Sequence, residues 1–550
     1  MPDPAIAEPP PSARAGAERR ALAVVLVALA LWGGVFIVRT SFLVGEERVF
    51  VLFDDAMISM AYARNVLRGE GLVWTPGSEP VEGFTNPLWT ALMIPANAVP
   101  LADRHVSAVI QVLGLLLMAA TVWRVRSLLR AHFPGAAAST AGWLPAAVLT
   151  ASYYPLAYWS IIGMETPLQA LLAVLAVHLA YDVVFSGRDR HLALFVVFAL
   201  AYLVRMDMAI LVAVVGGWVA VHGGFRRRAM RRWLAGAAVL AAAVGGYQLF
   251  RLLYFGEWLP NTYHLKIGEV PLGLRLPRGA RQLGRFLLDH AAIAVVFVAG
   301  VAAGAGRRSR TLLPALLVLS YLAYSVWVGA DAWEPPEFEL WANRFVAFVL
   351  PLAFVVVGDL LNRLTGAWAP ARRRAATAAA TAALVMAANG LWPSSSAAAR
   401  WNLFVHADYR EEIGSHALVL SRLRDLQGRV GPGARVATYW AGIPAFFADY
   451  RLIDAYGYND PHIARRPVRA DVTTDNYVPG HSKADPAYVL AQRPDAFFQF
   501  WDFDALPVAR PRHHMRRLGY ALVGEFWLRR DSPYLLPGAI PPPPPAPPRP

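Results

Sequence analysis

The sequence predicts a polytopic α-helical membrane protein with about eleven transmembrane helices, followed by a small α/β domain outside the membrane. Hydrophobic residues make up 56% of the 550 residues, and the mean hydropathy is +0.38. Both values are too high for a soluble protein of this length. After Trp392 the apolar runs shorten, while Pro, Asp and His become frequent. The chain therefore divides into a membrane part, residues 21–392, and a polar carboxyl-terminal part.

The first apolar stretch, Ala21–Val44, follows a predicted cytoplasmic tail of residues 1–20. It is long enough to cross a hydrocarbon core of about 30 Å. A cleaved signal peptide is the alternative, but its apolar region would span roughly 7–15 residues, so we favour an uncleaved first span. Further apolar windows lie near residues 105–123, 140–158, 166–185, 191–205, 207–222, 234–254, 288–305, 311–329, 343–361 and 374–392.

The arginines indicate the orientation of these spans. They cluster near residues 14–20, 124–130, 188–190, 226–232, 307–310 and 363–374. With eleven spans every cluster falls on one side, which the positive-inside rule makes the cytoplasmic side. The first loop, residues 44–104, and the carboxyl-terminal part are then extracytoplasmic. The net charge of +14 thus reports topology, and because no DNA-binding motif accompanies it, no nucleic-acid partner is expected.

The carboxyl-terminal part carries the pattern of a small independent domain. Residues 393–535 alternate short strand and helix patterns, beginning with strands at Val436–Tyr439 and Tyr450–Ala455, and are numerous enough for a core of their own. Residues 536–550 are mostly proline and predict a disordered tail. The sequence contains no cysteine, which excludes disulfides, Cys-ligated zinc, a thiol nucleophile and an iron–sulfur cluster.

A doubled carboxylate, Asp54 and Asp55, begins a predicted helix of about twelve residues in the first loop. One carboxylate is enough to cap the helix and complement its dipole. Two adjacent acids near lipid raise the pKa of one of them, which suits a general base. The helix is predicted to be interfacial, with Met57 toward lipid and Ser59 and Asn65 toward water. Capping and catalysis both stay open for the pair.

A family resemblance begins in the same loop, in the segments Asp54–Ser59, Tyr62–Asn65, Gly71–Trp74 and Val81–Trp89. They resemble the first extracytoplasmic loop of bacterial GT-C-fold glycosyltransferases, a group that includes the AftB-like arabinofuranosyltransferases and the ZomB-related flagellar motor control proteins. The resemblance continues in Tyr254–Lys266, Ile453–Asp460 and Pro479–Lys483, and so spans most of the chain. The chain departs from the pattern at Arg205-Met206-Asp207 and in the longer loop around Asp331.

The resemblance implies an enzyme that moves a sugar from a polyprenyl-phosphate donor to a glycan or another acceptor hydroxyl outside the cytoplasmic membrane. The reaction is expected to invert the anomeric carbon, with Asp54 or Asp55 as the base. Arabinofuranose as the sugar is implied by the resemblance alone. A lipid-linked donor keeps its phosphate at headgroup depth, so a base in an interfacial loop is well placed.

Catalysis also needs cations where the leaving phosphate develops charge. Candidates for donor phosphate binding are Arg64, Arg205, His264, Lys266 and Arg344. Snorkelling to lipid headgroups is the alternative for Arg64 and Lys266, and a local pair with Asp207 is the alternative for Arg205. Candidates for substrate binding are Glu82, Thr85, Asn86, Trp258, Asn261, Tyr263, Asp331 and Trp333. Candidates in the outer domain for acceptor recognition or a lid are Asp454, Asn459, Asp460, His481 and Lys483.

No metal or other cofactor is predicted to be obligatory. Asp54, Asp55, Glu82 and Asp331 offer hard oxygen ligands for Mg²⁺, Mn²⁺ or Ca²⁺, so a divalent cation stays open. Two other functions stay open as well. A lipid or polysaccharide transporter would favour mid-membrane ionisable residues and internal repeats, and neither is clear here. A non-catalytic membrane regulator would fit a loss of Asp54 and Asp55, and both are present.

Overall fold

The computed structural model describes residues 11–133, 140–223, 227–306, 309–334, 343–389, 410–498 and 511–541. Residues 1–10 of the predicted cytoplasmic tail, the predicted domain start at 393–409 and the tail residues 542–550 lie outside this description. The chain forms two compact units. Unit 1 draws on residues 1–39, 111–247 and 275–408, and unit 2 draws on residues 40–110, 248–274 and 409–550.

The membrane part is built of helices. In chain order these are α1 (Pro11–Thr40), α2 (Asp54–Leu67), α3 (Pro87–Asn97), α4 (Asp103–His132), α5 (Leu144–Ser152), α6 (Tyr154–Ile161), α7 (Thr166–Val184), α8 (His191–Val204), α9 (Ala209–His222), α10 (Arg227–Phe255), α11 (Asn261–Lys266), α12 (Leu272–Asp289), α13 (Ala291–Ala303), α14 (Leu312–Val328), α15 (Arg344–Ala347), α16 (Leu350–Thr365) and α17 (Pro370–Ala388). Every predicted apolar window falls on one or two of these helices.

Within the residues that the structure describes, four helical stretches are long and apolar enough to cross a membrane unaided, namely Ala15–Thr40, Asp103–His132, Thr166–Val184 and Met230–Phe255. Helices α12 and α13 pass the same test together, with a bend of 85° between them. Shorter apolar helices are His191–Val204, Met206–His222 and Leu312–Val328. The polytopic helical class is therefore confirmed.

Two breaks in the apolar helices have local causes. The predicted span at 140–158 splits into α5 and α6 at Tyr153, whose backbone is extended. Pro155 is the second residue of α6, where its missing N–H costs nothing but where it stops a helix from continuing through. Arg205 is also extended and separates α8 from a short 3₁₀ turn at Met206–Met208. The predicted windows 191–205 and 207–222 are thus observed as two short helices, α8 and α9.

Unit 2 contains a hairpin of strands β1 (Phe42–Val44) and β2 (Glu47–Val49), helices of the first loop, α11 and the α/β domain. The domain's helices are α18 (Arg410–Gln427), α19 (Ile443–Phe447), α20 (Pro461–Ala464), α21 (Pro486–Ala491) and α22 (Pro511–Arg517). Its strands are β3 (Arg435–Thr438), β4 (Arg451–Asp454), β5 (Ala496–Phe498), β6 (Tyr520–Val523) and β7 (Phe526–Arg529). The predicted alternation of helix and strand is confirmed.

These strands form one sheet in the order β4-β3-β5-β7-β6. Strand β3 is parallel to both β4 and β5, whereas β7 is antiparallel to β5 and β6. The core includes Ile453, Ile463, Phe497, Met515 and Trp527. The parallel centre brings the carboxyl ends of β3 and β4 to one edge of the sheet, and the polar residues of the candidate site follow these two strands.

The prediction of a two-faced interfacial α2 is wrong. Ser59 and Asn65, expected to face water, are 1% and 0% exposed. The Ser59 hydroxyl donates to Asn86 Oδ1 at 2.9 Å, and the Asn65 amide donates to the carbonyl oxygens of Val73 and Trp74. Because these polar side chains find partners inside unit 2, α2 is buried on nearly all sides up to Asn65.

Candidate active site

Asp54 begins α2 but caps a different helix. Its Oδ1 accepts hydrogen bonds from the backbone N–H groups of Ile443 at 2.7 Å and Gly442 at 3.1 Å, and its Oδ2 accepts from Ala441 at 3.2 Å. These N–H groups form the start of α19, where a carboxylate is favoured. The start of α2 itself has no side-chain cap. Asp54 thus joins the first loop to the carboxyl-terminal domain.

Burial, and to a smaller extent the neighbouring Asp55 charge, raise the pKa of Asp54 to about 7, while the three N–H donors act in the opposite direction. Both carboxylates are half-buried. Successive side chains on a helix point about 100° apart, so Asp54 and Asp55 leave α2 in different directions. Asp54 holds the start of α19 through its three N–H contacts.

Arg64 contacts the carboxyl-terminal end of α19. Its guanidinium donates to the carbonyl oxygens of Phe446 and, at 3.0 Å, Ala445, and it lies 5.3 Å above the Phe446 ring. Burial lowers its pKa to about 10. Gly442 permits the close packing, because a Cβ there would lie 1.9 Å from the Asp54 carbonyl oxygen. Residues predicted as base and phosphate ligand thus fasten α19 to α2 from both ends.

Glu82 forms a buried ion pair that the sequence reasoning missed. Its carboxylate accepts two hydrogen bonds from the Arg251 guanidinium, and both side chains are 1% exposed. Arg251 also donates to Gln248 Oε1 at 2.7 Å. The Glu82 carbonyl accepts the N–H of Asn261 at 3.0 Å. The signal for Arg251 was an arginine inside the apolar window 234–254, which is unusual for a lipid-facing segment.

A second polar cluster follows strand β4. The buried Asp454 carboxylate accepts the backbone N–H groups of Tyr456, Gly457 and Asn459 and the Asn459 side-chain amide, at 2.8–3.1 Å. Burial raises the pKa of Asp454 to about 6. The Asn261 amide donates to the carbonyl oxygens of Gly457 and Tyr458. This turn is therefore held from inside the domain and from α11.

Cationic and aromatic side chains gather around Tyr458. The Lys266 ammonium lies 5.1 Å from the Tyr458 ring centroid, and the His481 ring lies 5.9 Å from it. His264 lies two residues before Lys266, on α11, and burial lowers its pKa. Lys483 has a different role, because its ammonium donates to the carbonyl oxygens of His264, Gly268 and Ala464, each at 2.8 Å. It ties α11 to the domain.

The other predicted residues of unit 2 have simpler surroundings. Asn86 Oδ1 lies between α2 and α3 and also accepts the Thr90 hydroxyl, while Thr85 is half-buried. Asp460 caps α20 and accepts the Tyr488 hydroxyl at 3.0 Å. Trp258 and Tyr263 are exposed, by 67% and 36%. Exposure leaves both rings available as platforms for a sugar ring.

Unit 1 holds the remaining predicted residues. Arg205 pairs with Glu165 at 2.7 Å and with Asp207 at 2.8 Å, so the local pair considered from the sequence is present and Glu165 is an additional partner. Arg344 pairs with the fully buried Asp331 at 3.2 Å, and Trp333 is half-buried. Both guanidinium groups lie over the Phe345 ring, at 5.1 Å for Arg205 and 5.8 Å for Arg344. The structure therefore brings these arginines together.

The four acids considered as metal ligands are divided between the two units. Asp331 belongs to unit 1, and Asp54, Asp55 and Glu82 belong to unit 2. The oxygens of Asp54 and Glu82 accept N–H and guanidinium donors. A divalent cation at these acids stays an open possibility, as it was from the sequence.

Residues 407–537 match a family described as a domain of unknown function, DUF8728. A comparison with the curated proteins gives no match.

Solved structures resemble a larger part of the chain. ArnT from Cupriavidus metallidurans in the apo state is similar with a TM-score of 0.53 at 14% identity, over 80% of this chain and 86% of that chain. The same protein bound to undecaprenyl phosphate is similar with a TM-score of 0.51 at 13% identity, over 78% of this chain and 85% of that chain. An oligosaccharyltransferase from Archaeoglobus fulgidus in the apo form gives 0.44 at 13% identity, over 79% of this chain and 64% of that chain.

The likeness to ArnT confirms the fold that the motifs predicted, although the narrower resemblance to the AftB-like and ZomB-related groups stays a prediction. The chain is a multi-pass membrane protein with a GT-C-like fold and a carboxyl-terminal α/β domain.

Proposed function

We propose that this chain is a membrane glycosyltransferase that moves a sugar from a polyprenyl-phosphate donor to an acceptor hydroxyl on the extracytoplasmic side. The observation that carries the proposal is the GT-C-like fold shared with ArnT over 80% of the chain. ArnT binds undecaprenyl phosphate in one of its structures, and polyprenyl phosphate is the product that such a donor releases. The amino terminus is then cytoplasmic, as the arginine clusters predict.

The base in this proposal is Asp55. Asp54 is engaged with three backbone N–H groups at the start of α19, so removing it from them during each turnover would weaken the fastening of α19. Asp55 is adjacent and half-buried, and its side chain leaves the helix about 100° from that of Asp54. The engagement of Asp54 with α19 supports Asp55 as the base in this proposal.

The proposed step is a single displacement. Asp55 takes the proton of the acceptor hydroxyl, and the acceptor oxygen forms a bond to the anomeric carbon. The bond from that carbon to the phosphate oxygen breaks, and its electron pair leaves with polyprenyl phosphate. Attack from the face opposite the leaving group inverts the configuration. Cations near the departing phosphate stabilise the charge that develops there.

Lys266 and His264 are our candidates for the phosphate in unit 2, and Arg205 and Arg344 are our candidates in unit 1. Arginine can hold phosphate through two parallel hydrogen bonds, whereas lysine acts as a point charge. Arg64 is left out of this set, because its guanidinium already donates to the carbonyl oxygens of α19.

The other proposed contacts concern the sugar and the acceptor. The exposed Trp258 and Tyr263 offer aromatic faces to the apolar side of a sugar ring. His481 and Asp460 of the outer domain are candidates for the acceptor glycan. Arabinofuranose is the first sugar to test, on the strength of the motif resemblance alone.

The experiment is a donor panel. The purified chain in detergent is incubated with polyprenyl phosphates that carry different sugars, and release of polyprenyl phosphate is measured with and without a glycan acceptor. We expect release from one donor class, faster with an acceptor than with water alone. No release from any donor, in a preparation that binds polyprenyl phosphate, would contradict the proposal.

A further inference from the structure

We propose that His132, His178 and Asp182 of unit 1 form a binding site for a divalent transition-metal ion of the zinc class. The site is independent of the proposed sugar transfer, because none of its residues belongs to the candidate active site. No sequence motif pointed to it, since the histidines lie 46 positions apart in two different helices.

The helices bring three ligand atoms to one place. His132 is the last residue of α4, and His178 and Asp182 are one turn apart on α7, a spacing that puts both side chains on one face. One ligand atom from each residue lies within 4.8 Å of the other two. His132 Nε2 and Asp182 Oδ1 are 3.4 Å apart. Ligands about 2.0–2.1 Å from a tetrahedral ion are roughly 3.3 Å apart, so this pair already has suitable spacing.

One nitrogen of each imidazole ring makes no hydrogen bond with another described residue. Among the residues that the structure describes, His132 Nε2 and His178 Nδ1 are buried and make no hydrogen bond, and His132 is only 5% exposed. Buried polar atoms in folded proteins are rarely left in this state, and an ion is one of the usual reasons. A coordinated metal would satisfy both nitrogens at once.

The ligand set selects the kind of ion. Two imidazoles and one carboxylate suit Zn²⁺, Co²⁺ or Ni²⁺, whereas Mg²⁺ and Ca²⁺ prefer sites built from oxygen ligands. Three protein ligands leave a fourth tetrahedral position for solvent. A bound ion would fix the end of α4 to α7, on the side that the neighbouring arginine clusters predict to be cytoplasmic.

Two arginines compete with the metal for the carboxylate. Arg188 Nη1 lies 3.2 Å from Asp182 Oδ1, and Arg190 Nε lies 3.8 Å from Oδ2. The arginine side chains are 60% and 52% exposed, so either can turn into solvent when an ion binds. The two kinds of variant should therefore change the metal affinity in opposite directions. Removing the Arg188 charge should strengthen metal binding, whereas removing a ligand should weaken it.

The test uses the full chain in detergent, with any affinity tag removed and metal stripped by a chelator. Zn²⁺ and Co²⁺ are titrated, the retained metal is measured after desalting, and Co²⁺ is followed by its visible absorption, which is strong in a tetrahedral site. We expect one ion per chain and little competition from Mg²⁺. His178→Ala and Asp182→Asn should weaken binding by at least ~100-fold, beyond the ~10–100-fold typical of outer-shell changes.

Two further variants keep the test decisive. Arg188→Ala changes an exposed side chain and should bind Zn²⁺ more tightly than the unaltered chain. His222→Ala removes another histidine of unit 1, exposed at the end of α9, and should leave affinity unchanged. The proposal is overturned if the unaltered chain retains no Zn²⁺, if His178→Ala binds as tightly as His222→Ala, or if Arg188→Ala binds no more tightly.

Discussion

Removing the guanidinium of Arg251 should destabilise the protein strongly. The Glu82 carboxylate receives two hydrogen bonds from Arg251, and both side chains are 1% exposed. In an Arg251→Met variant the carboxylate would stay buried with its charge uncompensated. Breaking a buried ion pair from one side costs about 3–5 kcal/mol. No reduction for solvent screening applies, because neither partner reaches the surface.

Removing the Glu82 carboxylate should destabilise the protein less than removing the Arg251 guanidinium does. A double-mutant cycle is therefore informative. In Glu82→Gln the arginine keeps Gln248 Oε1 at 2.7 Å as a partner, so we expect about 1.5–3 kcal/mol, the value of a hydrogen bond to a charged group. The double variant Glu82→Gln/Arg251→Met leaves no buried charge at either position. It should therefore be less destabilised than the sum of the single variants, by up to about 3 kcal/mol.

The assay is thermal or denaturant unfolding of the chain in detergent, followed by intrinsic tryptophan fluorescence. The matched control is Arg493→Met, because that arginine forms an ion pair with Asp531 in which both side chains are more than half exposed. We expect Arg493→Met to destabilise the protein by at most about 1 kcal/mol. The reasoning is refuted if the free energy of unfolding of Arg251→Met lies within about 1 kcal/mol of that of the unaltered chain. It is also refuted if the destabilisation of the double variant equals the sum of those of the two single variants.

Two further predictions concern the contacts of the first loop. The folded-state pKa of Asp54, about 7, lies above its ordinary value of 3.8, so the folded protein binds this proton more tightly; stability should fall as pH rises from about 4 to about 7 and then level off. Asp54→Asn should flatten this dependence of stability on pH. An unfolding midpoint whose pH profile is the same in the variant and the unaltered chain would contradict the prediction. Gly83→Ala should destabilise by about 1–3 kcal/mol, because its Cβ would lie 1.8 Å from Asn459 Oδ1. The matched Gly273→Ala, with nothing within 4 Å of the new Cβ, should unfold like the unaltered chain.

The helical part of the fold was predictable because the local composition of a segment is enough to identify a membrane span. An apolar window needs no information from distant residues, so each predicted window falls on one or two helices. The separate windows 191–205 and 207–222 already place a boundary beside Arg205. The break at Tyr153 carried a signal as well, since Pro155 lies inside the predicted span and interior prolines interrupt helices.

The partners of the candidate site were much less predictable. Asp54 binds N–H groups that lie 387 to 389 positions away, and backbone N–H groups leave no mark in a sequence. The same reason explains Arg64 and Lys483, which were considered for phosphate or acceptor binding but donate to backbone carbonyl oxygens. Charge identified these residues as unusual, but only the fold could show which of them hold the structure together.

The division between an anchoring Asp54 and a catalytic Asp55 is the central claim, and donor turnover in Asp55→Asn tests it most directly. The variant should still fold and should bind the polyprenyl-phosphate sugar as the unaltered chain does. Release of polyprenyl phosphate to an acceptor should fall by about 10²–10⁴-fold, the usual contribution of a general base.

The matched control is Asp471→Asn, which changes a carboxylate that is 66% exposed in the same unit and should retain full turnover. Near-normal turnover by Asp55→Asn, with donor binding and stability intact, would contradict the account.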